Sequence, residues 1–216
     1  FVDITFLKDF KFTFNVGTTV NEIRYYTTTN PYYGFGAEQN GTVTMYHYRT
    51  TTLNLQQILN YSHNFGKHNI SVMLGHESYK YNYAELSASK KNMFSYWGNH
   101  ELNGAVIDGS SAASYSNDYN TEGYFFRALY DYDAKYYFSA SYRRDASSRF
   151  HPDHWWGNFY SVGGAYLMSK EDWFDVKWID MLKIKFSIGQ QGNDNIGSYN
   201  YTDRYNIVER NVEPSC

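Results

Sequence analysis

The sequence predicts an all-β chain, an antiparallel segment of about 8–9 strands from the wall of a transmembrane β-barrel. Three observations carry that expectation. Seven stretches alternate apolar and polar residues with period two, which gives each strand one greasy and one wet face. Long and short connectors alternate between most of these stretches, the asymmetry of outer-membrane barrels with long outer loops and short periplasmic turns. Finally, no apolar run approaches the roughly 18 residues that a membrane helix needs.

Taken in order, residues 2–6 read as an incoming strand and Leu7-Lys8-Asp9 as a tight turn. In the next strand Phe10, Phe12, Phe14, Val16 and Val20 share one face, against Lys11, Thr13, Asn15, Gly17 and Thr19. Its length is near the roughly 9–11 residues of a tilted spanning strand. Beyond Val20 the greasy face turns charged at Glu22 and Arg24. A Thr/Asn/Pro/Gly-rich loop is expected over about 27–42. Leu53, Leu55, Leu59 and Tyr61 then face Asn54, Gln56, Asn60 and Ser62, with Gln57 and Ile58 breaking the pattern. Gly66 marks a short turn by its tolerance of positive φ, and Ile70, Val72 and Leu74 follow on one face.

A long polar loop is expected over about 84–118. Next comes the pair built on Tyr124, Phe126, Ala128, Tyr130, Tyr132 and on Tyr136, Phe138, Ala140, Tyr142, joined by Asp133-Ala134-Lys135. A loop at about 145–156 leads to a strand from Asn158 to Met168, with Gly163-Gly164 where a barrel strand can bend. Ser169 and Asp172 have capping-box spacing for one helical turn within 169–181. Leu182, Ile184, Phe186 and Ile188 alternate cleanly, and a further strand is expected from Tyr199 to Val208 after a Gly/Asn/Asp loop.

Composition narrows the class further. The chain has 216 residues, 24 Tyr, 15 Phe and 5 Trp, aromatics that favour interfaces with one dry and one wet side. Its mean hydropathy of -0.64 looks soluble, but spanning strands keep every second residue polar. A net charge of -3 argues against nucleic acid as a partner. Cys216 is the single cysteine, so no disulfide framework or thiolate metal site is expected. Residues 1–5 read as strand, not as a signal peptide.

Four strings appear in order: Tyr61-Ser-His-Asn-Phe-Gly-Lys-His68-Asn-Ile, Tyr142-Arg-Arg-Asp-Ala-Ser-Ser-Arg-Phe150, Trp178-Ile-Asp-Met-Leu-Lys-Ile-Lys-Phe-Ser-Ile-Gly189 and Gln191-Gly-Asn-Asp-Asn-Ile-Gly-Ser-Tyr199. Together they resemble the barrel region of SusC/RagA-type TonB-dependent outer-membrane transporters of Bacteroidetes, over most of residues 45–205. Ala146 and Tyr166 depart from the residues usual there, Gly and Trp. The resemblance implies a 22-stranded barrel plugged by an N-terminal domain, a SusD-like surface lipoprotein as lid, and a TonB-ExbB-ExbD complex acting through the plug. It implies oligosaccharide or peptide as cargo and an integral place in outer-membrane lipid. On this reading residues 1–216 are a partial barrel without signal peptide, plug or closing strands. The alternatives are a soluble all-β carbohydrate-binding module and a small self-contained eight-stranded outer-membrane barrel.

Two groups are the candidate site residues. Tyr79, Tyr81, Tyr83, Tyr96, Trp97 and Tyr115, expected on outer loops, suit stacking on cargo or packing against the lid. The plainer reading is loop stabilisation. Arg143, Arg144, Asp145 and Arg149 cluster charge at a strand-to-loop junction, a vestibule network or simply a solvated loop base. His151, Asp153 and His154 lack further ligands for zinc, and Trp155-Trp156 beside them read as an aromatic girdle. Asp108, Asp118 and Asn193-Asp194-Asn195 carry oxygens that suit calcium, although Asx-rich turns explain them equally. Trp173 and Trp178 are expected at the periplasmic interface. No catalytic constellation stands out, so no enzyme and no cofactor is expected.

Overall fold

The computed structural model describes residues 1–94, 100–176 and 178–197. Eight strands pair antiparallel in chain order. They are β1 (Val2–Phe6), β2 (Phe10–Thr29), β3 (Thr42–Phe65), β4 (His68–Met93), β5 (Ala105–Tyr132), β6 (Tyr136–Ser147), β7 (Trp156–Leu167) and β8 (Lys183–Gly189). The tight turns gather at one end. Gly66 occupies the first central position of a two-residue hairpin with φ 67, the place where that turn requires glycine. Asp133 (φ 54) and Ala134 (φ 51) form the mirror-image turn without glycine, closed by Lys135 N–H donating to the Tyr132 carbonyl at 3.0 Å.

Register aligns like with like across the whole sheet. Phe6, Phe10, Tyr61, Val72, Ala128, Ala140, Val162 and Ile188 are successive cross-strand partners. The adjacent row on the other face runs Thr5, Lys11, Asn60, Met73, Arg127, Ser141, Ser161 and Gly189. The apolar face ends at Val20 on β2, Leu53 on β3, Leu74 on β4, Tyr142 on β6 and Ile188 on β8, with one step back at Tyr124 on β5. The register carries Ile188 across to Phe10, ten positions short of Val20. At about 3.3 Å per residue and about 4.8 Å per strand, that edge slopes by roughly 50° across the ladder. A level hydrocarbon band crossing strands tilted by about 35–45° has this form.

Among the described residues nothing covers the apolar face. Phe138 is 60% exposed, Tyr160 61%, Val162 56%, Phe186 71% and Ile188 69%. A soluble sandwich would bury these residues beneath a second sheet, and among the described residues there is none. Among the described residues β1 and β8 are the two edges of the sheet and do not pair with each other, so these eight strands do not close into a barrel of their own.

Three sequence expectations are corrected. The loop expected over 84–118 is mostly strand, since β4 runs to Met93 and β5 starts at Ala105. The loops expected at about 27–42 and 145–156 are found at 30–41 and 148–155, so the departure lies in the strand stretches 84–93 and 105–118. Ser, Ala, Asn and Thr in these stretches carry little apolar alternation. The tight turns nonetheless fix register, and each further residue then satisfies its backbone by continuing the ladder. At its far end the extension has a small core of Val43, Met93 and Ala105, with Leu102 packed against it. The capping box at Ser169 does not form: a 3-10 turn spans Met168–Lys170, entered from Leu167 without a side-chain cap. Gly163 and Gly164 sit in unbroken register between β6 and β8. The strand expected from Tyr199 to Val208 lies outside the described residues.

Candidate functional site

Strands of 20, 24, 26 and 28 residues rise on the order of 65–95 Å along their axes, far more than the ~25 Å apolar band needs. The excess stands beyond the band at the end opposite the tight turns. Its polar face carries a ladder of tyrosines. Tyr25 stacks on Tyr46 at 4.7 Å between ring centroids and on Tyr48 at 5.8 Å. Tyr48 meets Tyr83 at 6.2 Å, and Tyr83 meets Tyr115 at 6.3 Å. Lower on the same face Tyr79 packs edge-on to Tyr119 at 6.2 Å. Tyr81 is the direct cross-strand partner of Tyr119. Such pairs are worth roughly 0.5–1.5 kcal/mol each beyond their buried area. Hydroxyls point among them: Tyr25 and Tyr48 lie 3.2 Å apart, and Tyr83 donates to Glu85 at 2.8 Å.

Tyr79, Tyr81, Tyr83 and Tyr115 are therefore brought together, but on strands rather than on loops. Tyr96 and Trp97 lie outside the described residues. Tyr25, Tyr46, Tyr48 and Tyr119 complete the surface, and the period-two spacing of Tyr46 and Tyr48, like that of Tyr79, Tyr81 and Tyr83, was the signal for those two.

The arginine group separates by strand parity. Arg143 faces the polar side, where its Nε donates to both Asp145 carboxylate oxygens at 2.7 Å. Its guanidinium lies 5.5 Å from the Phe125 ring centroid and 3.8 Å from Glu77. Arg144, next along β6, faces the apolar side and lies over Trp156 at 4.9 Å. Arg149, after β6, sits over the Tyr119 ring at 4.2 Å and donates to the Asp194 carbonyl at 3.0 Å.

Asp194 thereby closes a cleft on the polar face. Its carboxylate accepts from Tyr119 and, at 2.9 Å, from Ser147, the buried polar residue at the end of β6. Burial opposes its charge, yet the hydrogen bonds from Tyr119 and Ser147 and the Arg149 guanidinium hold the carboxyl below its ordinary value. Asn193 accepts from the Asn195 N–H at 2.9 Å, a local Asx turn. Asp118 accepts from Asn82, and Asp108 lies 3.6 Å from Lys90. The three aspartates thus have separate protein partners. His151 Nδ1 accepts from the Asp153 N–H at 3.3 Å.

At the opposite end Glu171 ties the β7–β8 connector to the sheet. It accepts from Lys135 at 3.0 Å, Tyr136 at 2.9 Å and Tyr166 at 3.2 Å. Those bonds, Lys135 first, hold its carboxyl below the ordinary range and raise Lys135 in turn. Trp173 and Trp178 of this connector are 64% and 83% exposed.

Aromatic faces, hydroxyls and paired charges thus line one side of the tall outer extension, and the apolar band lies below it on the opposite face. Solved structures share the fold of this chain. The chain aligns with the structure of the RagAB peptide transporter at a TM-score of 0.83 and 26% identity, over 92% of this chain and 22% of that one. The chain is a SusC/RagA-like barrel segment. The 'closed-closed' state of the RagAB peptide importer matches this segment at a TM-score of 0.84, also at 26% identity over 92% of this chain and 22% of that one. In sequence it is 30% identical over 206 residues to TonB-dependent receptor P3 of Formosa agariphila, covering 93% of this chain and 20% of the receptor. It is 26% identical over 182 residues to TonB-dependent receptor SusC of Bacteroides thetaiotaomicron, covering 84% of this chain and 17% of SusC. The SusC/RagA-like segment thus spans about a fifth of the length of the relatives it matches. No family model matches the chain.

Proposed function

We propose that this chain is a wall segment of an outer-membrane transporter that imports oligosaccharide or peptide, with the tyrosine ladder as a cargo-facing surface. The single observation that carries the reading is the ladder's position, on the polar face and beyond the oily band. Among the described residues β1 and β8 are sheet edges with unpaired backbone groups, which hydrocarbon does not tolerate, so neighbouring strands complete the wall. Residues 1–216 act within a larger barrel whose plug, answering TonB-ExbB-ExbD, lies elsewhere in the protein. A SusD-like lipoprotein meets the outer ends of β2–β5. The relatives are receptors and transporters, and the proposed role is passage without catalysis. Tyr83 and Tyr115 serve the cargo, whereas the Arg143–Asp145 pair and the Arg149–Asp194 contact set the shape of the vestibule.

The test is uptake by the full-length transporter carrying Tyr83→Ala and Tyr115→Ala. At about 1 kcal/mol per lost aromatic contact, apparent affinity for cargo falls roughly five- to thirtyfold while the folded barrel persists on heat-modifiability gels. Unchanged uptake by a correctly folded double variant removes the ladder from the transport path.

A further inference from the structure

Polar groups collect on the apolar face where the oily band ends. On β4 His76 follows Leu74, on β5 Glu122 follows Tyr124, and on β6 Arg144 follows Tyr142. The register makes Gln57, His76, Tyr124, Arg144 and Asn158 successive partners. Each acidic group of this upper face is already engaged. Glu122 accepts from Tyr124 at 2.7 Å and bonds His76 Nε2 at 3.2 Å. Glu22 bonds His47 at 2.7 Å, and Asp118 accepts from Asn82. The cations are not balanced in the same way. Among the described residues no carboxylate lies within ion-pair distance of Arg144, Lys80 or Arg49. All three are exposed and alternate outward with the lipid-facing set.

Of the three, Arg144 is the one whose position is fixed. Its guanidinium lies over Trp156 at 4.9 Å, and Trp156 in turn stacks on Tyr124 at 6.0 Å. Across the strand pair Tyr142 donates to Asn158 at 2.8 Å. The stacking holds one face of the guanidinium and leaves its N–H fork free, the donor geometry that matches a phosphate bidentately. Trp156 and Tyr142 are 39% and 43% exposed, aromatics at the height where membrane aromatics meet head groups.

We propose that Arg144, stacked on Trp156, binds the phosphate of an outer-leaflet lipid head group, with Lys80 and Arg49 lying farther out along the same face. The lipid is the occupant because the site lies at the rim of the hydrocarbon band on the side away from the lumen. The Glu122 carboxylate is directed by hydrogen bonds to Tyr124 and His76 and makes no ion pair with Arg144 among the described residues. The inference rests on the outer-membrane reading, and its test separates the two.

The full-length protein is reconstituted in phosphatidylcholine vesicles containing a bisphosphorylated glycolipid, the same glycolipid stripped of phosphate, or neither with added inorganic phosphate. Lipid retained after detergent extraction is counted by native mass spectrometry. The wild type is expected to retain the phosphorylated glycolipid at least tenfold more than the stripped form, with millimolar inorganic phosphate failing to displace it. Arg144→Gln loses most of that preference, Arg144→Lys keeps part of it, and Arg127→Gln, on the polar face, behaves as wild type. Equal retention of both glycolipids by the wild type, or full retention by a folded Arg144→Gln variant, overturns the site. Displacement by inorganic phosphate overturns the lipid as its occupant. A wild type that does not insert into vesicles at all fails the outer-membrane reading instead.

Discussion

Leu59→Arg is expected to lower barrel stability by about 2–4 kcal/mol, the cost of a cation at mid-depth on a lipid-facing strand, whereas Asn60→Arg is expected to leave it nearly unchanged. The two positions are adjacent, and only strand parity separates them. Leu59 is the partner of Phe12 and Leu74, midway along the apolar face of β3 between Leu53 and Phe65. Asn60 is the partner of Lys11 and Met73 on the wet face. Urea titration of the full-length protein folded into vesicles, together with the folded fraction on heat-modifiability gels, reads both variants. Similar losses from the two would mean that the faces are assigned wrongly.

Gly75→Ala is the second large effect. The Phe125 ring lies over Gly75, and a Cβ there would sit 2.0 Å from two of its ring carbons. An aromatic covering a glycine on the neighbouring strand is a recognised device for filling a sheet. Adding the methyl group forces the ring off its rotamer and away from Arg143, at a cost of about 1–3 kcal/mol. Phe125→Ala makes room for it. The double variant is therefore expected to be more stable than the sum of the single losses predicts, by about 1 kcal/mol or more, in the same urea titration. Strictly additive losses would show that the two residues do not meet.

The oily half of the wall was legible in the sequence because its physics is local. Alternation assigns faces, and the turns at Leu7-Lys8-Asp9, Phe65-Gly66-Lys67 and Asp133-Ala134-Lys135 fix register without reference to distant residues. The outer half was harder to read. Residues such as Ser87, Ala88, Ala112 and Ala113 have no apolar pattern, and they are strand because their neighbours in the ladder are. Half of the tyrosine ladder was visible as bare aromatic content, but placing it needed the extended strands. Parity alone separates Arg143 from Arg144, since neighbours on a strand point opposite ways. By contrast, the contact of Asp194 with Tyr119, Ser147 and Arg149 brings together residues up to 75 positions apart, and no spacing in the sequence encodes it.

The central claim is that lipid, not protein, covers the apolar face. A nitroxide scan along β6 and β7 of the full-length protein in bilayers tests it most directly. Positions 138, 140, 160 and 162 are expected to be accessible to molecular oxygen and shielded from a water-soluble nickel chelate, with 139, 141, 161 and 163 lacking that high oxygen exposure. Even-numbered positions closed to both reagents would place a second protein layer over this face and contradict the account.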